Sequence, residues 1–258
     1  VEKGKSNFAG NEIKGKTLGV IGLGAIGGLV ANAAVALGMK VIGYDPYLSI
    51  NAAWKLDSAV EKANSYEEIF EKADYLTLHI PLTKDNKGFI NAEKIAMMKD
   101  GVKILNFSRG ELVNNADLKA ALADGKVSAY VVDFPSAETV NVPGIVAIPH
   151  LGASTEESED NCAVMAAAEL RDFLENGNIT NSVNFPNCSL PVSGVGRVAV
   201  AHKNTANMIG QFTSVLGEAG INISDMINKS RDDMAYTIIN TDHSVTDEVV
   251  EKLNAIDG

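Results

Sequence analysis

Short apolar runs rich in β-branched residues alternate with longer segments of helical period over the first two thirds of the chain. That alternation leaves few folds open, because each strand must return to a parallel neighbour through a helix. The strand-like runs are Leu18–Ile21, Val41–Tyr44, Tyr75–His79, Val102–Asn106, Ala129–Asp133 and Val146–Ile148. Helical segments are expected at Ile26–Leu37, Tyr66–Glu71, Ala92–Met98, Ala116–Asp124 and the long Thr155–Glu175. Two of the helix starts carry a hydroxyl and a carboxylate three residues apart, Ser65 with Glu68 and Ser154 with Glu157, the spacing that lets side chains cap free backbone amides reciprocally.

The pattern lapses at Asn184–Gly196, a proline- and glycine-containing stretch without period that reads as a linker. Beyond it the order becomes strand (Arg197–Ala201), helix (Ala206–Ala219), two strands (Ile221–Lys229 and Ala235–Thr241) and helix (Thr246–Ala255). A βαββα order begins a ferredoxin-like module whose closing strand is expected just past Gly258. The expected organisation is therefore residues 1–183, a linker at 184–196, and a second domain at 197–258. No internal repeat is evident.

The formal net charge of −11 disfavours nucleic acid and anionic membrane surfaces as partners and leaves a small molecule as the better fit. No stretch approaches the roughly 18 uninterrupted apolar residues of a membrane span, and Val1–Asn11 does not resemble a signal peptide, so a cytoplasmic protein is expected. Cys162 and Cys188 lie without metal-ligand spacing and are expected as free thiols; no metal site is expected.

The first chemical motif is Gly22-Leu23-Gly24-Ala25-Ile26-Gly27, set where a strand must turn tightly into a helix. Glycines there permit the turn, let backbone approach a pyrophosphate and let helix pack on strand, while the helix start offers amide donors. Eighteen residues after Gly27, Asp45 ends the next strand. Its carboxylate can accept from an adenine-ribose 2′-hydroxyl but repels a 2′-phosphate, and no Arg or Lys occurs in Pro46–Ile50. The context predicts a Rossmann-type doubly wound α/β sheet that takes NAD rather than NADP; the alternative for Asp45 is a turn residue ahead of Pro46.

Three polar residues fall at or beyond strand carboxyl ends, where open α/β sheets place their ligands. Arg109, in Asn106-Phe107-Ser108-Arg109-Gly110, can clamp a carboxylate bidentately and polarise an adjacent carbonyl. His150, after Val146-Ala147-Ile148-Pro149, suits proton exchange with an alcohol near neutral pH, and Glu138 could hold its imidazole and keep it basic. Each has a plainer alternative: a surface ion pair for Arg109, a solvated loop acid for Glu138, a structural histidine for His150. His79, at another strand end, is open between cofactor-pocket wall and packing.

Gly22–Gly27 with Asp45, Asn106-Phe-Ser-Arg-Gly110, Val132-Asp133 and Pro149-His-Leu-Gly-Ala-Ser-Thr155 together resemble the D-isomer-specific 2-hydroxyacid dehydrogenases, from Phe8 to about Phe185. The resemblance implies that Arg109 binds the substrate carboxylate and carbonyl, that His150 is the acid/base and that Glu138 orients it. It also implies cofactor contacts at Gly22, Gly24, Ala25, Ile26, Gly27, Asp45, Phe107, Ser108, Arg109, Asp133, His150, Gly152 and Ala153. It further implies a segment ahead of this one, forming most of a substrate domain, without which the residues given should bind NAD but not turn over. Two departures stand out: Val113-Asn114 where relatives carry Val-Asp, and Thr139 where a proline follows the glutamate.

The C-terminal module resembles a regulatory ACT domain. Its union with this dehydrogenase implies the members that oxidise 3-phospho-D-glycerate with NAD at the first step of L-serine biosynthesis, as homo-oligomers, with L-serine a possible effector. By position His202, Asn204 and Asn222 match effector residues, although Thr205-Ala206-Asn207 replaces the usual Arg-Pro-Gly. Those residues could equally line a dimerising sheet edge. Oxidation of another D-2-hydroxy acid, such as glycerate or lactate, and a non-catalytic NAD- or effector-sensing module are the other readings.

Overall fold

The computed structural model describes residues 10–258; Phe8, where the resemblance begins, lies outside them. Seven strands form one parallel sheet: β1 (Thr17–Ile21), β2 (Lys40–Tyr44), β3 (Val60–Lys62), β4 (Tyr75–Leu78), β5 (Val102–Asn106), β6 (Val127–Val132) and β7 (Ile145–Ala147). Their order across the sheet is β3-β2-β1-β4-β5-β6-β7, so the winding direction reverses between β1 and β4. The crossovers carry α1 (Ala25–Ala36), α2 (Ile50–Ala53), α3 (Tyr66–Lys72), α4 (Ala92–Met97) and α5 (Asn115–Ala123).

Both faces are covered, as the apolar strands require. Ile21, Leu76, Leu78 and Ile104 pack with Ile69 and Phe70 of α3 and Leu118 of α5. Leu18, Val20 and Val41 pack with Ala31 and Ala34 of α1. The elements expected from sequence are present with ends shifted by a residue or two. β3 was not expected: Val60-Glu61-Lys62 has one apolar residue, which suffices because it pairs only with β2 at the sheet edge.

The described residues divide into two compact units, one ending at Gly152 and the other Ala153–Gly258, earlier than the boundary expected from the sequence. The second unit contains α6 (Glu156–Asn176), β8 (Gly196–Lys203), α7 (Met208–Glu218), β9 (Ile223–Arg231), β10 (Met234–Thr241) and α8 (Asp247–Asn254). The cap of α6 is Thr155, whose hydroxyl accepts from Ser158 N at 3.2 Å, and not Ser154, because the extended residue at the helix entrance is one position later than expected. Ser65 does cap α3, accepting from Glu68 N.

The three antiparallel strands run in the order β8-β10-β9. Met208, Phe212 and Leu216 of α7 and Val249 and Leu253 of α8 pack with Ile239. The stretch expected as a linker is folded into this unit. Ile179 pairs with Cys188, and both cluster with Leu190, Phe185, Tyr236 and Ile238. Arg197 clamps the segment, donating to Asn178 Oδ1 and the Leu190 carbonyl at 2.8 Å each and to Asn240 Oδ1 at 3.0 Å. Cys162 is exposed, Cys188 buried, and both are free thiols. Among the described residues no helix is long and apolar enough to cross a membrane.

Candidate functional site

The winding reversal between β1 and β4 opens the crevice in which doubly wound sheets bind ligands. At its floor β1 is followed by Gly22, whose φ of +89° only glycine adopts freely. A Cβ at Gly27 would be driven into the Gly22 carbonyl oxygen, so strand and helix are as close as backbone allows. Gly24, Ala25 and Ile26 are exposed, and Gly24 caps α1 without a side chain. The start of α1 is thus exposed and carries no acidic side chain in its first turn, which fits a pyrophosphate.

Asp45 is tied into this turn: Oδ2 accepts from Leu23 N and Oδ1 from Tyr47 N, each at 2.9 Å. Beside it lies a cleft of about 770 Å³ in whose lining Asp45, Asp57 and Glu61 stand against the single cation Lys62. A ribose hydroxyl fits that acidic wall and a 2′-phosphate does not. His79 packs beneath the turn. Its amide donates to Ile21 O at 2.8 Å, its carbonyl abuts Gly22, and its Nε2 lies 3.0 Å from Thr77 Oγ1. Burial pushes the imidazole below its ordinary range.

Across the crevice, the turn after β5 is braced by Asn106, which is fully buried. Its Nδ2 donates to Arg109 O at 2.8 Å and to Tyr130 Oη at 3.0 Å, and its Oδ1 accepts from Ser108 N at 3.2 Å. Burial pushes the Tyr130 phenol up to about 12, so it stays protonated at any working pH. Ser108 Oγ donates to Leu78 O at 2.6 Å, joining this turn to the end of β4. Phe107 and Arg109 project outward, and Arg109 Nη1 donates to Ser108 O at 2.8 Å.

After β6 and β7 the chain brings His150 to Asp133, with Nδ1 2.7 Å from Oδ2. An ionised carboxylate only accepts, so Nδ1 carries the hydrogen and Nε2 is the nitrogen left for proton exchange. Asp133 Oδ1 is buried with no partner among the described residues, an acceptor that fits a donor such as the nicotinamide carboxamide.

Glu138 does not hold His150 here: its Oε2 accepts from Asn115 Nδ2 at 3.1 Å. Glu138 lies inside the turn Ser136–Thr139, which Thr139 closes by accepting from Ser136 N at 2.8 Å and donating to Ser136 O at 3.0 Å. That closure directs Glu138 toward the start of α5. The other departure is neutral, since Asn114 Oδ1 caps α5 by accepting from Ala116 N and Asp117 N, as an aspartate would. Gly152 closes the first unit and Ala153 opens the second.

Sequence reasoning did not single out Asn106 or Phe134. A buried-capable amide at a strand end was a usable signal for the first; Phe134 looked like an ordinary apolar residue. The three effector candidates are not brought together within one module. His202 is buried, its Nε2 2.9 Å from Thr237 Oγ1, and Asn204 Nδ2 donates to Asp232 O, both at the Met234 end of β10. Asn222 N donates to Asp242 Oδ1 at the opposite end, a strand length of roughly 20 Å away.

A family model described as "D-isomer specific 2-hydroxyacid dehydrogenase, NAD binding domain" matches residues 2–152. The chain is 38% identical over 191 residues to a D-3-phosphoglycerate dehydrogenase of Bacillus subtilis, covering 72% of this chain and 36% of that one. It is 30% identical over 260 residues to a D-3-phosphoglycerate dehydrogenase of Escherichia coli, covering 96% and 62%. Among solved structures, a glyoxylate reductase from "Paecilomyes thermophila" superposes with a TM-score of 0.60 at 30% identity, covering 67% of this chain and 54% of that one. A D-lactate dehydrogenase with NAD+ from Lactobacillus jensenii does so at 0.58 and 27%, covering 66% and 56%. The chain spans less than two thirds of the length of each of these relatives.

Proposed function

Because the chain belongs to the D-isomer-specific 2-hydroxyacid dehydrogenases, we propose that it is the cofactor-binding part of an enzyme that oxidises 3-phospho-D-glycerate to 3-phosphohydroxypyruvate, the first step of L-serine biosynthesis. The observation that carries the reading is the pairing of His150 with Asp133 beyond the carboxyl ends of the parallel strands, the end that also carries Arg109 and the glycine turn. NAD, which the glycine turn and Asp45 would hold, would supply the acceptor for the hydride that leaves C2. His150 Nε2 takes the hydroxyl proton, and the imidazolium so formed is stabilised by the Asp133 carboxylate 2.7 Å from Nδ1. Arg109 clamps the carboxylate through its planar fork and so fixes C2 for transfer. Asp133, rather than Glu138, is the positioning residue in this arrangement.

Relatives named D-3-phosphoglycerate dehydrogenase from Bacillus subtilis, Haemophilus influenzae and Escherichia coli support the substrate. The second unit supports an ACT-like regulatory module: its βαββα order, its β8-β10-β9 sheet, and the Gly258 carbonyl that accepts from Lys203 N at 2.8 Å, beside the open edge of β8. An L-serine site assembled from His202, Asn204 and Asn222 of a single module has no support in this geometry. The named structural relatives favour a second reading, another small D-2-hydroxy acid. Turnover of the full-length enzyme with NAD decides between them. We expect the highest kcat/KM for 3-phospho-D-glycerate; a higher value for D-glycerate or D-lactate would replace it with the second reading.

A further inference from the structure

Phe134 follows Asp133 directly, and its side chain touches both groups assigned to chemistry. Its ring stacks on the His150 imidazole with centroids 4.2 Å apart and planes inclined by 29°. The Arg109 guanidinium carbon lies 4.9 Å from the same ring's centroid. The loops that carry these residues are in close contact, since a Cβ at Gly110 would come within 2.8 Å of the Phe134 carbonyl oxygen.

We propose that Phe134 is a positioning residue whose ring holds Arg109 and His150 and leaves to the substrate the imidazole Nε2 and the guanidinium N–H groups that Ser108 O does not take; this rests on the dehydrogenase reading of the same site. The face of a guanidinium makes no hydrogen bonds, so contact with an aromatic ring restrains the side chain without using the donors that a carboxylate needs. The imidazole is fixed in a complementary way. The bond from Nδ1 to Asp133 sets a pivot, and rotation about that pivot would sweep Nε2 away from the hydroxyl. Stacking on Phe134 blocks that rotation. A residue 38% exposed is not needed to fill the core, which makes its contact with both groups the more informative.

The test uses Phe134→Leu, which keeps an apolar side chain but removes the ring, and Phe134→Tyr, which restores it. In the full-length enzyme Phe134→Leu should lower kcat/KM for 3-phospho-D-glycerate roughly 10- to 100-fold through both KM and kcat. NADH affinity should hold, and Phe134→Tyr should stay close to wild type. In NMR spectra, the His150 ring protons and the Arg109 Hδ protons should show upfield ring-current shifts in wild type and Phe134→Tyr and lose them in Phe134→Leu. Wild-type kcat/KM in Phe134→Leu, or shifts unchanged by that substitution, overturns the proposal. If the wild-type enzyme oxidised no 2-hydroxy acid at all, the dehydrogenase reading would fail by itself. The shifts would then decide whether the ring holds the two side chains.

Discussion

The two sides of the crevice are built by different means. On the β1–β2 side, the glycine turn, the start of α1 and the pinned Asp45 form a surface made mostly of backbone, rigid because strand and helix meet without side chains between them. On the β5–β6–β7 side, Arg109, Asp133, Phe134 and His150 stand on loops and hold one another through side-chain contacts. The first side can bind a cofactor as it stands. The second keeps Arg109 and His150 partly exposed, with the imidazole Nε2 not taken up by Asp133, which suits a substrate that must enter, react and leave.

This contrast predicts that the two sides fail separately. The largest effect is expected from His150→Asn in the full-length enzyme, where loss of the acid/base group should cut kcat by about 10²–10⁴-fold while NADH affinity changes little. A variant that kept its turnover would remove His150 from the chemistry. Gly27→Ala should do the reverse. A methyl group forced against the Gly22 carbonyl should cost about 1–3 kcal/mol of stability and abolish NADH binding. Thermal unfolding and NADH fluorescence measure both, and unimpaired cofactor binding would show that the turn is looser than its geometry.

The two sides also differed in legibility. Gly22–Gly27 and Asp45 could be read from the sequence because their roles follow from backbone conformation and from spacing along two adjacent elements. Arg109 and His150 could be placed at strand ends for the same reason. Their partners could not. The choice of Asp133 over Glu138 depends on how Thr139 closes a four-residue turn, and the contact of Phe134 with two residues from other loops has no local pattern. Likewise residues 179–190 carry no period, yet they fold onto β10 through Ile179, Cys188 and the Arg197 clamp.

The smallest expected effect concerns His79. Burial holds its imidazole below the ordinary range of about 6.5, so the unfolded chain binds the proton more readily than the folded one. Its contribution is neutral where both states are unprotonated and turns destabilising as pH falls below about 6.5. Replacing it with Gln should flatten that part of the stability profile in denaturant titrations. An unchanged profile would show that His79 protonates freely in the fold.

Asp45 and the acidic wall beside it should select NADH over NADPH, and calorimetric titration of the wild-type protein with the two cofactors tests this most directly. NADH should bind at least about 10-fold more tightly, a difference of about 1.4 kcal/mol, and Asp45→Ala should erode that preference. Equal dissociation constants for the two cofactors in the wild-type protein would contradict it.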